Sequence, residues 1–268
     1  MDTLKNELEI LTASVKKIPA PVEDENTRKI AEARACGAID DQGRMQPMVA
    51  AIRKAAGSPR LEPWERFSLI ASQCIGVLSR DLGERYSRSL ATLENFTIYH
   101  QAQQAAISSV RAFIDDAPIS IANGCGIVLY GPVGTGKDHL LAAAMYVVAA
   151  AGVSVRWVSG QELYGQIRDS MDTGRPEDSL LNEWEKPCLL GISDPIPPVG
   201  TPSEWNTMQL YRLLDRRYRA KKSTWISVNA LSIDDADIKL SAPVFDRIRH
   251  GAVLVPCFWP SFRERKVG

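Results

Sequence analysis

The stretch Gly126-Ile-Val-Leu-Tyr-Gly131-Pro-Val-Gly134-Thr-Gly136-Lys137-Asp138-His139-Leu-Leu-Ala-Ala-Ala-Met145 decides the fold. Its first six residues are a short apolar run bounded by glycines, the pattern of a buried strand. From His139 onward, HLLAAAMYVVAAA reads as a helix stopped by Gly152. Between strand and helix, Gly131 to Lys137 satisfies G-x-x-x-x-G-K, the spacing of a phosphate-binding loop. Glycines let successive backbone N–H groups turn inward around an anion. The following helix points its positive end at that anion, and a lysine adds a mobile charge that reaches the β- and γ-phosphates. The order strand, loop, lysine, helix points strongly to nucleotide binding and says little about what the nucleotide is used for. A glycine-rich turn without a ligand is the plain alternative. The residues expected at the nucleotide are Gly131, Pro132, Val133, Gly134, Thr135, Gly136, Lys137, Asp138 and His139. Asp138 stands where the pattern has a Ser or Thr whose hydroxyl holds Mg²⁺. A carboxylate also ligates Mg²⁺ well, so binding is expected to depend on the metal. The alternative for Asp138 is an acidic first-turn residue that favours the helix N-terminus.

Outward from the loop, helix and strand signals alternate. A helix is expected over residues 101–114, a strand over 153–158, and a helix from 160 capped by Ser159 with Glu162 three residues on. Further strands are expected at 188–193, 224–229 and 252–258. A long helix follows Thr201, read as its cap, with Pro202 in its first turn, and a short one covers 242–251. Such alternation with short connections means an α/β fold, a mostly parallel sheet with helices on both faces.

Nucleotide hydrolysis needs an acid at the tip of a neighbouring strand, to hold Mg²⁺ or to polarise the attacking water. Asp194, directly after the apolar run Cys188–Ser193, is the acid in that position, and Ser193 stands where a first Asp is usual. Asp194 reads as base or as metal holder, with a turn residue before Pro195 as the plain alternative. Asn229, at the tip of the next strand, can orient a water against the γ-phosphate. Arg247, in Asp246-Arg-Ile-Arg-His-Gly251, can be supplied to a neighbouring subunit's nucleotide, although composition alone prefers a solvated face there. Arg263 is a second cation for the phosphates.

Composition narrows the classes. The 268 residues are 45% apolar and 24% charged, an ordinary globular mixture that argues against disorder. The net charge is +0, so no global basic field advertises nucleic acid. The basic excess is local: residues 201–268 hold 12 basic and 7 acidic side chains. The basic segment LDRRYRAKK and this tail are candidates for a single-stranded DNA path made of phosphate contacts, with a solvated face as an equal alternative. The five cysteines, Cys36, Cys74, Cys125, Cys188 and Cys257, form no C-x-x-C pair, which reads as reduced intracellular thiols without zinc. No secretory signal or bilayer-length apolar run is seen, so a cytoplasmic protein is expected. Upstream of the alternating region, residues 1–85 read as amphipathic helices, among them 63–82, and carry no recognisable motif.

These residues in this order resemble the DnaC/IstB branch of the AAA+ ATPases, the replicative-helicase loaders and transposase-helper ATPases. The resemblance runs over roughly residues 86–268. It is carried by RYSRSLATLENFTIYHQAQQAAISSVRAFID before the loop, by GPVGTGKDHLLAAA, CLLGISD and STWISVN, and most specifically by VFDRIRHGAVLVPCFWPSFRER. It implies a P-loop AAA+ three-layer fold at 86–268, preceded by a small helical N-terminal region, 1–85, that grips a partner. It also implies an oligomeric ATPase with ATP bound between subunits. By that likeness Lys137 contacts phosphate, Asp194 takes the catalytic acid's place, Asn229 is a sensor, Arg247 is a finger acting in trans and Arg263 is a second sensor. Cofactors are then ATP and Mg²⁺, the latter held by Asp138 and Asp194. The partners are a replicative helicase and single-stranded DNA, or a transposase and duplex DNA. Asp194 in place of a longer Glu implies slow hydrolysis or a binding-only adaptor. A small-molecule kinase would need an arginine-bearing lid, which the sequence does not show.

Overall fold

Five apolar runs form five strands: β1 (Ile127–Gly131), β2 (Val155–Ser159), β3 (Leu189–Ser193), β4 (Ser223–Asn229) and β5 (Val253–Pro256). All pair in parallel, in the order β2-β3-β4-β1-β5. The computed structural model describes residues 63–174, 176–196 and 202–264, within a unit running from Leu61 to Gly268. The helices expected earlier in the sequence lie outside the described residues. The helices are α1 (Pro63–Leu82), α2 (Gln101–Asp115), α3 (Ala117–Ala122), α4 (Lys137–Ala150), α5 (Gly160–Asp172), α6 (Glu177–Glu185), α7 (Glu204–Arg219), α8 (Ile233–Leu240) and α9 (Ala242–Arg249).

Side chains alternate across a strand, so each strand feeds two cores. Ile127, Leu129, Val155, Trp157, Leu189, Trp225 and Val255 pack with α1, α2 and α4. Val128, Val158, Leu190, Ile192, Ile226 and Val228 pack with α5 to α9. This gives the expected three layers. Helix α4 is buried on nearly every side, from Leu140 through Ala149, because it lies under α1 and α2 against the sheet. That burial explains its near-uniform apolar sequence. Each fully buried Leu or Ile of this layer contributes about 1.5–3 kcal/mol.

Local signals account for several helix starts. Ser159 accepts from the Glu162 N–H while Glu162 reaches back, so the expected capping box forms. His100 and Gln103 form a second box at the start of α2. The cap of α7 is a correction: it is Ser203, whose hydroxyl accepts from the Asn206 N–H, and Pro202 precedes it. Ser203 competes for the capping position two residues after Thr201, and it wins because α7 begins only at Glu204. The sequence reading has no helix at α3, α6 or α8. Each is nine residues or fewer, too short for a clear period.

Helix α1, grouped by the sequence with the N-terminal region, packs against α4 and β2. Near its C-terminal end Asp81 accepts from Arg156 Nε at 2.6 Å and from the Trp157 N–H at 3.0 Å. It thereby covers main chain of edge strand β2 that would otherwise invite pairing. No helix among the described residues is long and apolar enough to cross a membrane, and the four described cysteines are unbridged.

Candidate nucleotide-binding site

Strand order sets the site. β1 lies between β4 and β5 rather than beside β2, so the loop after β1 opens at a topological switch point, where open α/β sheets bind ligands. The tips of β1, β3 and β4 therefore converge on one cavity of about 340 Å³. It is lined by Val133, Gly134, Thr135, Gly136, Lys137, Asp138 and His139 from the loop and first turn, by Asp194 and Asn229 from the strand tips, and by Arg263. Among the described residues, the N–H groups of Val133, Gly134 and Thr135 donate to no protein acceptor. The loop carbonyls, by contrast, are taken: Gly134 O accepts from the Phe262 N–H at 2.9 Å, and Thr135 O from Trp259 Nε1 at 2.8 Å. Carbonyls bonded on one side with donors left over on the other make a cradle for an anion. Gly134 and Gly136 have φ of 82° and 87°, which a Cβ disfavours, and a Cβ on Gly136 would lie 2.8 Å from the Phe96 ring.

Lys137 is buried, and its Nζ donates to Gly131 O (3.0 Å), Pro132 O (2.7 Å) and Asn229 Oδ1 (2.8 Å). All three ammonium protons are thereby used. Burial pulls its pKa below the usual lysine range, against the opposing pull of Asp194, Cys257 and Asp138. Asp194 turns the chain with φ 44°, a left-handed conformation that Asp tolerates. Its N–H donates to Ser227 O at 3.0 Å. Helix α5 closes behind it: a Cβ on Gly160 would lie 2.5 Å from Asp194 O, and Tyr164 Oη donates to Pro195 O at 2.8 Å. Asp194 Oδ1 is buried without a hydrogen-bond partner. Burial, then the nearby Asp138, raise its pKa to about 6, and Lys137, Asn229 and Arg263 oppose them. A buried carboxylate oxygen with no donor, near a second carboxylate, suits a hard cation with oxygen ligands such as Mg²⁺. No group of three or more His, Cys, Asp or Glu forms a metal cluster among the described residues, so such an ion would depend on phosphate oxygens as well.

His139 is placed by its ring: Nε2 lies 2.9 Å from Thr92 O, and the ring meets Phe96 edge-on at 5.3 Å. Sequence reasoning missed a second part of the lining, formed by Arg85, Tyr86, Asn95, Phe96, Thr97, Tyr99 and Phe262. Two segments far apart in the chain build it, tied by Tyr99 Oη donating to Pro260 O at 2.7 Å. The clustering of aromatics in ENFTIYH and PCFWPSF was the available signal. Such rings offer a face to a nucleobase.

Arg247 is not brought to this cavity. Its guanidinium bonds Asp215 Oδ1 (2.9 Å), Pro243 O (2.9 Å) and Tyr211 Oη (2.9 Å) on the α7–α9 face. The basic helix also differs from a continuous DNA-facing stripe. Arg217 is fully buried and donates to Thr224 Oγ1 and to the carbonyls of Trp184, Glu185, Pro187, Cys188 and Ser223. It thus caps the end of α6 and fastens the starts of β3 and β4. Arg212 and Arg216 both hold Asp178 on α6. Arg219 (paired with Asp215) and Lys221 are the exposed charges of that segment, and half-buried Lys222 donates to Lys186 O at 2.8 Å.

The family described as IstB-like ATP binding protein matches residues 85–267. The chain is 28% identical over 179 residues to a protein of Escherichia coli strain K12 named replicative helicase loader DnaC, covering 66% of this chain and 71% of that protein. Among solved structures, the DnaC helicase loader superposes with a TM-score of 0.58 at 22% identity, over 65% of this chain and 99% of that one. AMPPCP-bound DnaA from Aquifex aeolicus superposes with a TM-score of 0.52 at 22% identity, over 66% of this chain and 51% of that one.

Proposed function

The chain belongs to the IstB-like ATP-binding protein family and is a DnaC-type ATP-binding protein, and on that premise we propose that it loads a replicative helicase onto single-stranded DNA during DNA replication. The observation that carries this reading is the cavity itself, where unspent loop N–H groups, a buried lysine and two strand-tip polar residues meet, in a chain whose relatives are named helicase loaders. In this reading the loop amides bind the phosphates, and Lys137 exchanges its loop carbonyls for phosphate oxygens. Asn229 holds the attacking water, Asp194 takes its proton, and Arg263 balances charge. Asp138 and Asp194 would hold Mg²⁺, which neutralises phosphate charge when bound. Arg247 would serve a neighbouring protomer after leaving Asp215 and Tyr211. Asp194 is one methylene shorter than Glu, so hydrolysis is slow. The N-terminal region expected at 1–85 grips the helicase through its part before α1, because α1 packs against α4 and β2 together with the ATP-binding domain of residues 86–268.

A second reading, a transposase helper on duplex DNA, follows from the resemblance to the IstB branch, the IstB-like ATP binding protein family matching residues 85–267. The test is co-elution of the full chain, with ATP and Mg²⁺, with a purified hexameric replicative helicase and, separately, with a transposase. A complex with the helicase that deposits it on single-stranded DNA is expected. A complex with the transposase alone overturns the loader reading, and ATP-dependent loading with no turnover assigns the chain to the binding-only class.

A further inference from the structure

Ser227 is a hydroxyl in the wrong company. It lies in β4 between Ile226 and Val228 and is 0% exposed. A buried hydroxyl costs stability unless it is bonded. Its Oγ donates to Asp138 Oδ1 at 2.5 Å, a charge-assisted bond. Its carbonyl accepts the Asp194 N–H at 3.0 Å. One strand residue thus fastens both acidic residues of the site, Asp138 by its carboxylate and Asp194 by its main chain. The period of β4 explains the geometry: Ser227 and Asn229 share a face. Asn229 meets Lys137 there, and Ser227 meets the next residue, Asp138.

Across the ladder, Ser227 pairs with Ser193, itself buried. A phosphate-loop site ordinarily has the hydroxyl on the first helical turn and the acid on the strand. Here the helix has the acid, at 138, and the strand has the hydroxyl, at 193. No hydrogen bond from Lys137 goes to either carboxylate, its three donors being spent elsewhere.

We propose that carboxylate and hydroxyl have changed places in this metal site, and that Ser227 is the positioning residue that makes the change work by holding Asp138 toward Asp194. The transposed acid sits on the first turn of α4 rather than on the sheet. Without a strut it would swing with the first turn of α4, and the serine supplies the strut from the neighbouring strand.

This inference rests on reading the cavity as a Mg²⁺–nucleotide site, and the experiment separates the two. The full chain is titrated with Mg²⁺ at fixed fluorescent ADP, and the Mg²⁺ midpoint is read alongside nucleotide affinity in EDTA. Ser227→Ala is expected to raise the midpoint about tenfold, the loss of one hydrogen bond to a charged group, while binding in EDTA stays unchanged as the control for folding. Ser227→Thr, which keeps the hydroxyl, is expected to restore it. Asp138→Ser should raise the midpoint further, and Asp138→Ser with Ser193→Asp should bring it back near wild type by returning each group to its usual place. An unshifted midpoint in Ser227→Ala, or a double variant no better than Asp138→Ser, overturns the exchange. A wild-type chain that binds nucleotide with no Mg²⁺ dependence, or binds none, overturns the site reading beneath it.

Discussion

The cavity has two walls of opposite character. The wall of strand tips is polar and braced from behind: Lys137, Asp138, Asp194 and Asn229 are fastened to β1, to the loop after it and to β4 by bonds of 2.5–3.0 Å. The second wall is aromatic and built from two segments far apart in the chain, and Phe262 in it is 51% exposed. Phosphate recognition needs donors held at fixed positions before the ligand arrives, which only rigid elements provide. A nucleobase face needs only a flat apolar surface, which a loop can present. The division of labour between the walls follows from that difference, and each wall makes its own forecast.

The largest effect is expected at the polar wall. Lys137→Ala should weaken ATP binding by about 100-fold, the loss of charge-assisted bonds worth roughly 3 kcal/mol. It should weaken inorganic triphosphate equally, because the lysine reads phosphate and not base. Calorimetric titration with both ligands checks this. A loss confined to ATP would mean that the lysine acts through the base wall and would erase the distinction.

The unequal legibility of the walls has the same origin. The polar wall is local in sequence: a glycine loop, the acid after CLLGIS and the amide after STWISV each announce themselves within seven residues, and the sheet then brings them together. The aromatic wall exists only when residues near 96 and near 262 meet, through Tyr99 and Pro260, 161 positions apart. No window along the chain contains that contact. Arg217 was misread for a related reason. RRYRAKK reads as one basic run, but helical phase turns Arg217 inward while Arg216 and Arg219 stay at the surface. Ser227 was passed over because a serine in an apolar strand carries no signal until its neighbour across the layer is known.

A second effect belongs to the polar wall alone. The pKa of Asp194 is raised from 3.8 to about 6. The folded chain therefore holds a proton that the unfolded chain has lost between those values, and stability falls as pH rises through that window. The penalty is complete above about pH 6 and amounts to about 2–3 kcal/mol. Asp194→Asn should be more stable than wild type by that amount at pH 7 without ligand, and the gap should close below pH 4. Denaturant unfolding of both chains from pH 3.5 to 7 measures it. A constant gap would assign the effect to packing instead of charge. Phe96 and Phe262 in the aromatic wall carry no ionisable group, so no variant of these two rings should bend the curve.

The smallest effect isolates the aromatic wall. Phe96 is the poorer probe, since it is buried against His139 and Gly136, and removing such a ring costs stability of about 3 kcal/mol or more. Phe262 is half exposed, so Phe262→Ala should leave the melting temperature within a degree or two. Stacking against one base is worth about 1–3 kcal/mol, and a half-exposed ring sits at the lower end, which predicts roughly a fivefold loss of ATP affinity. Inorganic triphosphate should bind the variant as it binds wild type, because it has no base to stack. The two ligands against the two variants form a cycle: Lys137→Ala should weaken both, and Phe262→Ala only one. If Phe262→Ala weakened triphosphate as well, the hydrogen bond from its main-chain N–H to Gly134 O would be depending on the ring, and the walls would be one mechanical unit instead of two.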